Sequence, residues 1–157
     1  MSKIAPCLWF DGEAEEAAKF YVSLLPDSRI DRVQRNVTDS QAGKAGTVLV
    51  VEFTLVGQRF LALNGNTRFE YTPAISFQVD CADQAEVDRL WDALSAGGSI
   101  DRCGWLKDRY GVSWQIVPKV LPELLGDPDA AKAQRVMQAM LQMVKLDIAG
   151  LKTAHAG

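Results

Sequence analysis

The tripeptide Ile30-Asp31-Arg32 returns unchanged as Ile100-Asp101-Arg102, 70 residues further along the chain. Laid on each other at that offset, the two halves also bring Glu16 onto Glu86, Tyr21 onto Trp91 and Leu24 onto Leu94. The pattern around the repeated triplet is the same in both halves. Ile4 to Phe10 is an apolar run that stops at Asp11-Gly12, as a buried strand ending in a turn does. From Glu13 the period changes, with Ala14, Ala17, Ala18, Tyr21, Leu24 and Leu25 recurring at helical spacing until Pro26-Asp27. Arg29 to Val37 reads as a strand, Thr38 to Gly46 as a polar loop, and Thr47 to Val56 with Arg59 to Asn64 as a hairpin turning at Gly57-Gln58. After Asn64-Gly65-Asn66 the order restarts. Pro73 to Asp80 is strand-like, and Asp83 with Glu86 three residues on opens a helix whose stripe is Val87, Leu90, Trp91 and Leu94. Short strands follow at Ser99 to Cys103, Trp105 to Lys107 and Val112 to Val117. Matched identities in a matched element order indicate internal duplication. Each half, β-α-β-β-β, is too small to cover its own sheet, so the halves are expected to share a core.

The segment after the second half is different. Asp127-Pro128 reads as an N-cap followed by proline at the first helical position. Ala133, Val136, Met137, Met140, Met143 and Val144 then repeat at three and four, and a second short helix is expected from Asp147 to a loose tail at Ala154-His155-Ala156-Gly157. That Met-bearing stripe fits docking on its own subunit or contact across a dimer.

Composition narrows the function classes. The chain has 157 residues, 17 basic against 20 acidic, one His and three Cys. No positive surplus or basic run favours nucleic acid. Cys7, Cys81 and Cys103 are too far apart for a zinc framework, and an odd count suggests reduced thiols in a cytoplasmic protein. No apolar run approaches the roughly 18 residues of a membrane span. A nucleophilic Ser or Cys paired with His has little support, because no nucleophile-elbow setting is present and the one His is near the end.

Leu8-Trp9-Phe10-Asp11-Gly12, Glu15-Glu16-Ala17 and Phe20-Tyr21 resemble the PhnB-like branch of the vicinal oxygen chelate superfamily, the glyoxalase, bleomycin-resistance and extradiol-dioxygenase fold group. Cys103-Gly104-Trp105-Leu106-Lys107-Asp108 and Tyr110-Gly111-Val112-Ser113-Trp114-Gln115-Ile116-Val117-Pro118 strengthen the resemblance. It is taken to cover nearly the whole chain, the Met-rich helix included. It implies an α+β fold of paired βαβββ modules forming a cup, module one at 3–66 and module two at 72–118, with a helical extension at 127–154. Members often carry the label "3-demethylubiquinone-9 3-methyltransferase-like". Neither a glycine-rich loop after the first strand nor an alternating β/α order is present to support that label as chemistry. The superfamily's metal-using members place His, Glu or Gln on strands facing the cup. The corresponding strands here lack His, and Gln115, a weak neutral ligand, falls at a last-strand ligand position. The expectation is a protein without cofactor or catalytic metal that binds a small molecule. Alternatives are a metal-dependent lyase or dioxygenase with Glu52 and Gln115 as ligands, and a structural or interaction dimer. The superfamily also implies a homodimer.

Candidate pocket residues follow from strand alternation. Ser76-Phe77-Gln78-Val79 and Ser113-Trp114-Gln115-Ile116 share the order Ser, aromatic, Gln, aliphatic. In the resembled fold these strands pair, which puts Ser76, Gln78, Ser113 and Gln115 on one face as a neutral polar patch. That patch either orients a ligand or satisfies itself. Trp9 and Trp105 are aromatic-wall candidates, with the register of Trp9 left open. Asn64 either bonds a ligand or caps a turn. Glu52 is either a cup carboxylate available as a base or the ion-pair partner of Arg59.

Overall fold

The structure is a computed structural model and describes residues 2–157, which divide between Glu70 and Tyr71 into two compact units. The first unit is built from β1 (Cys7–Phe10), α1 (Ala14–Leu24), β2 (Arg29–Arg35), β3 (Val48–Leu55) and β4 (Gln58–Asn64). Its sheet has the order β1-β4-β3-β2, with β1 parallel to β4 and the other pairs antiparallel. Alternation sorts the sheet into two faces. Leu8, Phe10, Val51, Phe53, Leu55, Phe60 and Ala62 are buried together with Ala14, Ala17, Ala18 and Tyr21 of α1. Tyr21, Phe53 and Phe60 stack in series, with centroids 6.3 and 5.4 Å apart. The small alanines of α1 let the helix approach the sheet, and the aromatic series fills the space beyond them. Cys7, Trp9, Glu52, Leu61 and Leu63 point to the opposite, open face, so Cys7 is exposed rather than a buried strand residue. The strand itself starts at Cys7, three residues after the start of the apolar run, and Ile4 is solvent-exposed.

The β3–β4 hairpin turns one residue earlier than expected. Leu55 pairs with Gln58, so Val56 and Gly57 are the central residues, with φ of 47° and 80°. Positive φ at both positions matches the right-handed strand twist. For Val56, a β-branched side chain, that conformation is strained.

The second unit repeats the plan: β5 (Ser76–Cys81), α2 (Gln84–Ser95), β6 (Ser99–Ile100), β7 (Trp105–Lys107) and β8 (Ser113–Pro118), in the order β5-β8-β7-β6. Again the first and last strands are parallel, Phe77 opposite Trp114 and Cys81 opposite Pro118. Val87, Leu90, Trp91 and Leu94 of α2 are buried, as the sequence stripe predicts. A variant of the capping box forms: Glu86 N donates to Asp83 Oδ1 at 2.9 Å, while the Glu86 carboxylate reaches one residue past the cap and accepts from Ala82 N at 2.7 Å.

Three helices follow: α3 (Val120–Leu125), α4 (Ala130–Leu141) and α5 (Ile148–Ala156). The cap of α4 is Asp129, which accepts from Ala131 N, and not Asp127. Pro128 holds Asp127 outside the helix, where it accepts from Asp129 N and meets His155 Nε2 at 2.7 Å. These two bonds hold the Asp127 carboxyl below its usual range, the backbone bond contributing most. The expected loose tail is the last turn of α5, whose carbonyls at Ala154 and His155 accept from the Arg135 guanidinium. Val117, Leu121, Val136, Leu146 and Leu151 form a core cluster with Met140 and Met143 packed on it, so the extension docks in cis on the second unit. Met137, within α4, and Val144, beyond the end of α4 at Leu141, are left exposed.

Candidate functional site

The register of β5, β8 and β7 assembles the predicted polar patch. Ser76 lies opposite Ser113, Gln78 opposite Gln115, Trp105 opposite Gln115 and Lys107 opposite Ser113. Side chains two apart on a strand share a face. Ser76, Gln78, Trp105, Lys107, Ser113 and Gln115 therefore form a small grid on the open side of the second sheet. Phe77, Leu106 and Trp114 occupy the other side, where Phe77 and Trp114 are in ring contact at 5.4 Å and Trp114 Nε1 donates to buried Asp108 at 2.9 Å. Part of the patch satisfies itself: Gln115 Nε2 donates to Ser76 Oγ at 2.9 Å, and Gln78 Nε2 to Asp80 Oδ1 at 2.9 Å. Ser113, at the centre of the grid, does not. It is 2% exposed, and its Oγ is buried with no hydrogen-bond partner among the described residues. A buried hydroxyl without a partner costs on the order of 1–3 kcal/mol, which is why such groups are uncommon.

The other candidates lie in the first unit and are placed differently. Glu52 is bracketed by two cations, Arg32 Nη2 at 3.2 Å and Arg59 Nη2 at 3.5 Å, the ion-pair alternative with one partner more than expected. Trp9 stands on the same open face, its Nε1 donating to Thr67 O at 2.7 Å and its ring edge-on to Phe69. The ring lies flat over Gly65, where a Cβ would come within 1.7 Å of it. Asn64 turns the other way. Its Oδ1 accepts from Gly12 N at 3.1 Å and Ala14 N at 3.0 Å, and its Nδ2 donates to Val48 O at 3.1 Å. Asn64 thus caps α1 from the end of β4, a tertiary version of the turn-capping alternative.

Sequence reasoning passed over one feature. The connection 36–47 is not an open loop but a self-bonded one, closed by Asn36 N to Thr47 O and Gly46 N to Asn36 O, both 2.8 Å. Between this connection and the first turn of α1 is a cavity of about 840 Å³. Its polarity gave no signal beyond that of an ordinary loop, and only the long-range position of Glu15 and Asn64 reveals it. Burial pushes the Cys81 thiol up to about 12. Cys103 sits in the β6–β7 turn with its Sγ 3.6 Å from Met140 O.

No curated protein matches the chain. Solved structures do. A putative 3-demethylubiquinone-9 3-methyltransferase, PhnB protein, from Bacillus cereus is 38% identical, with a TM-score of 0.69, over 74% of this chain and 99% of that one. Protein PA1353 from Pseudomonas aeruginosa is 20% identical at a TM-score of 0.63, over 76% of this chain and 98% of that one. The fosfomycin resistance protein FosX from Listeria monocytogenes, 12% identical with a TM-score of 0.52 over 78% of this chain and 97% of that one, shares the fold. The family described as 3-demethylubiquinone-9 3-methyltransferase matches residues 2–117. The match stops short of the Met-bearing helix, so the resemblance is narrower than the sequence reading had it. The helices after β8 lie outside the family pattern. Two βαβββ units of one strand order, a family match over most of the chain and a 38% identical PhnB relative lead to one statement: the chain belongs to the PhnB-like 3-demethylubiquinone-9 3-methyltransferase family of the vicinal oxygen chelate superfamily.

Proposed function

We propose that the protein binds a small molecule on the open face of its second sheet and does so without a catalytic metal. The observation that carries this reading is the Ser113 hydroxyl, buried and unpartnered at the centre of an otherwise hydrogen-bonded Ser/Gln grid. A grid of neutral donors and acceptors beside Trp105 suits orientation of a polar, partly planar ligand, with Ser113 supplying a bond that no protein group takes up. Whether the ligand is sequestered or transformed is a separate question, since a fold does not fix a reaction.

The chain's donor groups do not fit the superfamily's metal. The only imidazole is engaged by Asp127 in the helical extension, Glu52 is neutralised by two arginines, and Gln115 is bonded to Ser76. Among the described residues no three His, Cys, Asp or Glu side chains are grouped so that they could hold a metal ion. The family description implies S-adenosylmethionine, and the residues do not fit that group either. Each sheet has only one parallel pair, and Asp11-Gly12 after β1 is not a glycine-rich phosphate or nucleoside loop.

A fragment screen followed by calorimetry tests the reading. Ser113→Ala should weaken a bound fragment about tenfold, the worth of one well-made hydrogen bond, while leaving the melting temperature equal or higher. Ligands that bind Ser113→Ala and Gln115→Ala as tightly as the parent protein would sink it. Saturable heat with S-adenosylmethionine, or stoichiometric metal in the untagged protein, would overturn the parts concerning those groups. A homodimer is part of the same proposal, and light scattering at micromolar concentration tests it.

A further inference from the structure

The register of the second sheet lines up one row across all four of its strands: Ser99 of β6, Lys107 of β7, Ser113 of β8 and Ser76 of β5. Residues directly opposite each other on paired strands present their side chains to the same face, with Cβ atoms about 4.5–5.5 Å apart. The row therefore carries three hydroxyls and one ammonium on the open face, and no carboxylate. Acidic residues near the row are engaged elsewhere. Asp80, further along β5, is bonded by Gln78, and Asp101, just past β6, by the amide of Arg102. Asp108, next to Lys107, takes the Trp114 indole on the covered side of the sheet.

The bonding state of the row is one-sided. Ser76 Oγ accepts from Gln115 Nε2, which leaves the Ser76 proton to give. Ser113 Oγ is buried without a partner among the described residues. Lys107 is exposed and makes no ion pair among them. Three donors thus converge where no protein group accepts. We propose that the site takes an oxyanion, a carboxylate or a phosphate, carried on a planar body, an assignment that rests on the sheet-face reading above and names its ligand class. The Lys107 ammonium and the Ser113 and Ser76 hydroxyls hold the acid group, and the Trp105 ring, one row along beside Gln115, takes the planar part. An oxyanion has lone pairs for all three donors, and a bond in which one partner is charged is about twice as strong as a neutral one. A neutral amide would satisfy Ser113 and leave the ammonium unanswered. Ser113 Oγ is closed off from solvent, so a ligand that reaches it displaces a neighbour. Lys107, directly opposite, exposed and unpaired, is the side chain free to swing away and return onto the charge.

Calorimetry of benzoate, phenyl phosphate and benzamide on the intact protein tests the proposal, since the three share a ring and differ in the group it carries. At least one of the two acids should bind about tenfold more tightly than benzamide, and the tighter acid names the source of the oxyanion. Lys107→Gln should remove that preference and leave benzamide unchanged, whereas Lys107→Arg, which keeps the charge, should retain most of it. A circular dichroism melt establishes that each variant is folded. Benzamide bound as tightly as both acids, with all three weakened by Ser113→Ala, overturns the oxyanion and leaves the sheet-face reading standing. A preference for acid that survives Lys107→Gln overturns the assignment, because the charge is then recognised elsewhere. No heat from any of the three at millimolar concentration overturns it as well, and the fragment screen then decides the sheet-face reading separately.

Discussion

In the first unit the N-terminus of α1 is capped from 50 residues away, by the amide of Asn64; in the second, α2 is capped from within, by Asp83 and Glu86. The two strand ends are equivalent. Asn64 lies opposite Phe10 and Pro118 opposite Cys81, and the following amides, Gly65 N and Lys119 N, return to Phe10 O and Cys81 O at 3.0 and 2.8 Å. Both units must satisfy the same free N–H groups at a helix start. Once Asp83 does so locally, the strand-end position is released, and a proline without a donor is tolerated there. The first unit has no side-chain cap at Glu13, so its strand end must carry the amide. Duplicated units thus preserve a requirement while moving the residue that meets it.

Three substitutions separate the two arrangements, in falling order of effect. Asn64→Ala leaves Gly12 N, Ala14 N and Val48 O without their partner and should lower stability by on the order of 3 kcal/mol, read by urea denaturation. If it costs no more than a surface change, water replaces the amide and the tertiary cap is not what holds α1. Asp83→Ala removes a local cap with solvent nearby, and about 1 kcal/mol is expected. A loss equal to that of Asn64→Ala would erase the distinction between the units. Val56→Asn relieves a β-branched residue from φ of 47° in the β3–β4 turn and should raise stability by roughly 0.5–1 kcal/mol. In the second unit the β6–β7 turn, the counterpart of the β2–β3 connection, also has a non-glycine residue at positive φ, Cys103 at 58°. There the neighbouring amides are committed to the C-terminal segment, so Cys103→Asn should gain less than Val56→Asn does.

Much of this architecture was legible because it is written in short-range patterns. The helical stripes of α1 and α2, the Asp83–Glu86 box and the alternation within each Ser-aromatic-Gln-aliphatic strand depend on residues within one turn or one strand of each other. Features that depend on distant partners were not. Asn64 reads as a turn residue until Gly12 and Ala14 are beside it. Asp127 reads as a cap because Pro128 follows, whereas Asp129 has the right backbone and Asp127 has His155. The hairpin turn reads as Gly57-Gln58 rather than Val56-Gly57 because valine disfavours left-handed backbone. Of the candidate site, the polar grid followed from the period of two within each strand together with the strand pairing that the family resemblance implies. The isolation of Ser113 within it did not, because a missing bond leaves no mark on sequence.

The docking of the helical extension on the second unit has a consequence for synthesis. The first unit has every residue of its sheet, its helix and its tertiary cap once Gly65 has been made, so it can close while the ribosome is still at work. The second unit has its strands by Pro118, yet Cys103, Gly104, Gln84 and Asp88 wait for residues 143–148. A nascent chain arrested before that segment emerges would carry one finished unit and one whose β6–β7 turn and helix start lack their partners.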